Sequence, residues 1–134
     1  MTPPMPQAVA QVFARFPDAV GGRLKAVRSL IYGLAEETET GPLTETLKWG
    51  EPAYLTERTR AGTTLRLGLV GGAPAVLVNC RTSLIEGFRR DFPKTFGYAG
   101  TRALLLPEDP DETALSVCLT RALTYHRNRK GSRA

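Results

Sequence analysis

The chain has 134 residues, 42% hydrophobic and 23% charged, and its 18 Lys and Arg against 13 Asp and Glu give a net charge of +5. Those figures suit one folded domain with a real core and exclude disordered, collagen-like and membrane-embedded chains. The sign of the charge favours anionic partners only weakly, because it is uneven along the chain: acid gathers at Glu36, Glu37, Glu39, Glu45 and Glu51 and again from Glu108 to Glu112, and base at the end of the chain.

Pro3, Pro4 and Pro6 form a stiff lead-in, and residues 1–6 are expected to be mobile. Val9, Val12, Phe13 and Phe16 then recur at helical spacing, which predicts a short helix stopped by Pro17. Val20, Leu24, Val27, Ile31 and Leu34 lie along one face of a second, longer helix. Asp18 is its expected cap, Arg23, Lys25 and Arg28 are expected to turn outward, and Gly41 with Pro42 ends the segment. Ala53 to Thr56 predicts a strand, and Leu65, Leu67 and Leu69 alternating with Thr64, Arg66 and Gly68 predict another, buried on one side. The run from Gly71 to Pro74 is a turn, after which Val76, Val78 and Cys80 continue as an antiparallel partner.

Ser83 and Glu86 have capping-box spacing and open a helix with Leu84, Ile85, Phe88 and Phe92 on its apolar face, ended by Pro93. Ala103 to Leu106 predicts a last strand. Asp109, Pro110 and Glu112 announce a final helix, with Asp109 as cap, Leu115, Cys118, Leu119 and Ala122 inward, and Arg127, Arg129 and Lys130 at its C-terminal end. Residues 127–134 form a basic tail, expected to be mobile. The order predicts a single α+β domain over 1–134: two layers, with an antiparallel sheet of about four or five strands and the N- and C-terminal helices packed on one face.

Catalytic signatures fail on inspection. There is no GxSxG, GxxxxGK[ST], GxGxxG or HExxH, and His126 is the only histidine, so the expectation is a protein that binds without transforming. Cys80 and Cys118 lack metal-type spacing and read as reduced thiols, Cys80 as a small core hydrophobe. The Glu36 to Glu51 carboxylates offer hard oxygen ligands but read better as a solvated face, and no metal ligand is assigned. With no signal peptide in the first residues and no apolar run long enough to span a bilayer, the expected location is cytoplasmic and no membrane partner is expected. Nucleic acid is not expected either, because a basic tail binds phosphate without specificity. A homodimer is left open.

Chemistry is densest from Leu47 to Tyr54, where Lys48, Trp49 and Glu51 set the sole indole between a cation and a carboxylate. In one reading Trp49 and Tyr54 form an aromatic wall with Lys48 as an anion handle; in the other, the favoured one, Trp49 plugs the core while Gly50 and Pro52 shape a turn. A second aromatic and basic stretch adds Tyr98 and Arg102. The candidate ligand-binding set is therefore Lys48, Trp49, Glu51, Tyr54, Tyr98 and Arg102, for a small anion of unknown identity, with no catalytic residue and no cofactor. Lys48 or Tyr98 as an enzymatic acid or base is a third reading, which needs a desolvated pocket.

The succession Leu47-Lys48-Trp49-Gly50-Glu51-Pro52-Ala53-Tyr54, a Leu-rich strand, Cys80-Arg81-Thr82-Ser83-Leu84, Phe88-Arg89 and Gly100-Thr101-Arg102-Ala103 resembles the YdhG-like domain family of unknown function. The resemblance covers nearly the whole chain and rests on a fold signature to which no reaction is attached. It implies an α+β domain with an antiparallel sheet and flanking helices. Some relatives are described as frataxin-like iron chaperones, which implies, as the alternative function, iron held on an acidic surface and delivered to haem or iron–sulfur assembly. This chain departs from that pattern in its basic balance, and no iron-ligand motif matches residue by residue.

Overall fold

The computed structural model describes residues 2–127. Pro17 both stops helix α1 (Gln7–Arg15) and stands at the N-cap of helix α2 (Asp18–Glu37) with φ −52°, a fixed turn that only proline makes cheaply. Asp18 is therefore not the cap; it sits in the first turn, where its charge suits the helix dipole. A strand hairpin follows, β1 (Thr44–Lys48) and β2 (Glu51–Leu55), then a second one, β3 (Leu65–Val70) and β4 (Ala73–Leu77). Helix α3 (Leu84–Asp91) leads into a third hairpin, β5 (Gly97–Ala99) and β6 (Ala103–Leu105), and helix α4 (Glu112–Leu123) completes the described chain.

The strands form one antiparallel sheet in the order β1-β2-β3-β4-β6-β5. This is the expected α+β architecture with two strands more than the narrower reading, the edge strands β1 and β5. Alternation decides what each face buries. Tyr54, Leu65, Leu67, Val76 and Leu104 point to one side, where they share a core with Val9 and Phe13 of α1, Leu24 and Ile31 of α2, and Leu115 and Leu119 of α4. Each such side chain, taken out of water, contributes roughly 1.5–3 kcal/mol. The other side carries small residues, Ala75 and Ala103 with Leu77, grouped only with strand neighbours. Helices cover one face of the sheet and leave the other open. Among the described residues no helix is long and apolar enough to cross a membrane.

Several local expectations are corrected by tertiary contacts. Arg28 is buried, not outward. Asp111 rather than Asp109 caps α4, accepting from the Ala114 N–H at 3.0 Å. The Ser83 side chain makes no capping bond; its backbone N–H donates to the Tyr125 hydroxyl. Cys80 lies beyond β4 in an exposed turn, so it is not a core residue, whereas Cys118 is buried. In the lead-in the Pro3 carbonyl accepts from Arg28 at 2.8 Å and Met5 packs on the core. Arg127 completes the end of α2 instead of α4, donating to the carbonyls of Thr38 at 2.7 Å and Glu39 at 3.1 Å. The rest of the basic tail, with Arg129, Lys130 and Arg133, lies outside the described residues. The loop before β3 presses on α4: the Thr63 N–H donates to the Ala122 carbonyl, and a Cβ on Gly62 would stand 2.3 Å from the Leu123 carbonyl oxygen.

Candidate functional site

Lys48 pairs with Glu51 across the first hairpin, so Trp49 and Gly50 alone make the turn. Both take the left-handed conformation, φ 56° and 75°, as the tightest hairpin turns require. For glycine this is free; for tryptophan it costs about 1 kcal/mol. A residue at the tip of a two-residue turn projects beyond the sheet, and Trp49 is 90% exposed. The favoured reading of Trp49 as a core plug is therefore wrong, because the pairing of its neighbours carries it away from the core.

The indole instead borders an open cleft of about 600 Å³ lined by Lys48, Trp49, Thr64, Arg66, Val78, Asn79, Cys80 and Arg102. Sheet register explains why residues so distant in sequence meet. Arg66 stands opposite Ala53 on one side and Leu77 on the other, on the face the helices leave open. Lys48 and Trp49 lie toward one end of that row. Asn79 and Cys80 follow β4 at the other end, beside Arg102, whose carbonyl accepts from the Val78 N–H at 2.8 Å. From the Glu51 level to the Leu55 level is four residue steps, roughly 13 Å of strand. The site is a trough along the sheet with Trp49 and Lys48 at one end and Arg66 and Arg102 at the middle and far end.

Glu51 stands behind this trough. Its Oε1 accepts from Arg66 Nη1 at 2.8 Å, and its carboxylate occupies the space over Gly68, where a Cβ would come within 2.0 Å of it. Burial raises the carboxyl above its ordinary range, and the Arg66 charge opposes that shift. Three cations, Lys48, Arg66 and Arg102, thus line the cleft against one partly neutralising acid.

Two expected members lie elsewhere. Tyr54 faces the helices, fully buried, and donates to Glu45 Oε2 at 2.8 Å. Glu45 also receives Arg28 through Nε at 2.6 Å and Nη2 at 2.7 Å, and the Tyr32 hydroxyl at 3.3 Å. The Glu45 hydrogen bond raises the Arg28 guanidinium further, burial followed by the Glu45 bond and charge raises the Tyr54 phenol, and burial pushes Tyr32 up to about 12. Tyr98 shares its proton between the carbonyls of Phe92 at 2.8 Å and Phe88 at 3.0 Å, with its pKa pushed up to about 12, chiefly by burial. It ties the end of α3 through these two carbonyls.

The acidic run does not assemble. Glu45 and Glu51 point to opposite faces of the sheet, each bound by an arginine. Glu36 and Glu39 border a separate cleft of about 520 Å³ with Tyr32. Among the described residues no three His, Cys, Asp or Glu side chains come together as metal ligands would. Sequence reasoning missed Arg66, Thr64, Asn79 and Cys80. The signal for Arg66 was present, since it alternates with Leu65 and Leu67 and so belongs to the face opposite the core. Comparison with family models, with curated proteins and with solved structures returns no match, and the YdhG-like resemblance stands on the quoted motifs alone.

Proposed function

We propose that the protein is a non-enzymatic binding module whose open sheet face holds a small anion. The observation that supports this best is the placement of Lys48, Arg66 and Arg102 around a single cleft of about 600 Å³ together with an exposed indole. Guanidinium forks match oxyanions with paired hydrogen bonds, and a cleft of this size lies within the range of small-molecule sites. Tyr98 donates to two backbone carbonyls and does not line this cleft. The alternative, an iron carrier, finds no group of three candidate metal ligands among the described residues to support it.

Sulfate is a suitable first probe because its charge does not change over the working pH range, and Trp49, the sole tryptophan, reports occupancy by fluorescence. Sulfate should perturb the indole emission saturably, with Arg102→Gln and Lys48→Gln each weakening binding severalfold. Affinity should also rise as pH falls from about 7 toward about 4.5, because the Glu51 carboxyl, raised by burial, takes up a proton over that range and stops neutralising Arg66. Glu51→Gln should bind more tightly at neutral pH and lose that dependence. Emission indifferent to sulfate, phosphate and small carboxylates alike would remove this reading.

A further inference from the structure

An inorganic oxyanion would fill only a fraction of the trough, and it would leave Trp49 without a purpose. That residue combines two costs that folding does not require: a left-handed backbone, which asparagine or glycine adopts more easily, and an aromatic ring 90% exposed to water. Glu39 and Arg60 share that backbone conformation, so what sets Trp49 apart is the exposed ring beside a cationic cleft. An exposed indole offers a planar face on which another ring stacks, a contact worth about 1–3 kcal/mol for a nucleobase. The cations at Arg66 and Arg102 are offset from it along the strands. Ala53 and Leu77 flank Arg66 across the strands, and Glu51, its ion-pair partner at 2.8 Å, stands on the Trp49 side of it.

We propose that the anion is a nucleoside phosphate, with its base stacked on Trp49 and its phosphate held by Arg66 and Arg102; this rests on the anion-binding reading above. The class follows from the bipartite geometry. A sugar phosphate uses the cations and leaves the ring idle, and a nucleoside does the reverse. A ligand that carries a stacking ring and a phosphate on one sugar engages both the indole and the cations. The same unit occurs free and within a single strand, and the two sources share this chemistry.

Calorimetric titration of the full chain with adenosine 5′-monophosphate, ribose 5-phosphate and adenosine separates the contributions. The monophosphate should bind at least about tenfold more tightly than ribose 5-phosphate, the fold-change that base stacking supplies. Trp49→Asn, which suits the left-handed turn and so preserves the hairpin, should bring the monophosphate down to the affinity of ribose 5-phosphate and leave the latter unchanged. Trp49→Phe should restore part of the difference. Equal affinities for the two phosphates, or a preference for the monophosphate that survives Trp49→Asn, overturns the nucleotide assignment and leaves the anion-binding reading standing. Failure of every phosphate and of sulfate removes both. A short single-stranded oligonucleotide forms the last arm: tighter binding than the monophosphate assigns the unit to a strand, and equal or weaker binding assigns it to the free nucleotide.

Discussion

Two arginine–glutamate pairs, Arg28 with Glu45 and Arg66 with Glu51, lie on opposite faces of one sheet, and both glutamates belong to the β1–β2 hairpin. Beneath the helices the first pair is closed, each side chain 5% exposed, with Glu45 taking two bonds from the guanidinium and one from each of two tyrosines. On the bare face the second pair is held by a single contact at 2.8 Å and borders a cleft. The chemistry is the same and the surroundings decide its use. A saturated pair without access to water acts as an internal fastener, while an incompletely satisfied one beside an opening can exchange its partner for a ligand.

Removing one partner of the closed pair should have the largest effect. Arg28→Met leaves the Glu45 carboxylate buried without its cation and should lower stability by about 3–5 kcal/mol in urea unfolding. A loss below about 1 kcal/mol would erase the distinction between the faces. Next comes alkaline pH. Tyr32, Tyr54 and Tyr98 all have raised folded-state pKa values, so the unfolded chain releases phenolic protons first, near pH 10. Stability should be complete below that value and fall as pH rises toward about 12, where Tyr32 and Tyr98 titrate in the fold. Each group contributes up to about 1.4 kcal/mol per pH unit. Tyr54→Phe should make the decline shallower, and an unchanged pH profile would show that the covered face is not the source.

Arg66→Gln should cost about 1 kcal/mol or less, because the partner it abandons can reach water, yet it should weaken sulfate binding severalfold. A stability loss as large as that of Arg28→Met would make the two faces equivalent. The smallest effect has the opposite sign. Trp49→Asn should raise the midpoint of thermal unfolding through a gain of up to about 1 kcal/mol, as the left-handed turn is relieved. Any destabilisation above that size would mean the indole contributes to packing.

Periodicity made the core legible. The alternation of Leu65 and Leu67 with Arg66 gave β3 and its two faces, and the stripe from Val20 to Leu34 gave α2. The first hairpin was harder to see because its turn signal is Trp-Gly, a pair that turn preferences do not favour, so only the second strand of the hairpin was read. Arg28 was read as solvated because a charge inside a helix usually is; its burial depends on Glu45 arriving from a strand seventeen positions later. Tyr54 joined the candidate site by proximity to Trp49 in sequence, but alternation along β2 turns it to the helix-covered face, and its hydroxyl donates to Glu45. Arg102 and Lys48 were recognised from residue type, while Arg66, Asn79 and Cys80 come to them only through strand pairing.

The strap from Arg127 to the carbonyls of Thr38 and Glu39 spans 89 positions at its longest, and Gly62 closes against the last turn of α4. A ribosome delivers these parts in the wrong order for stepwise completion. When α2 and the first hairpins have already left the exit tunnel, the surface that α4 will cover, including Leu24 and Ile31, is still open, and the end of α2 has no cation to meet it. Final closure therefore belongs to the moment after residue 127 emerges.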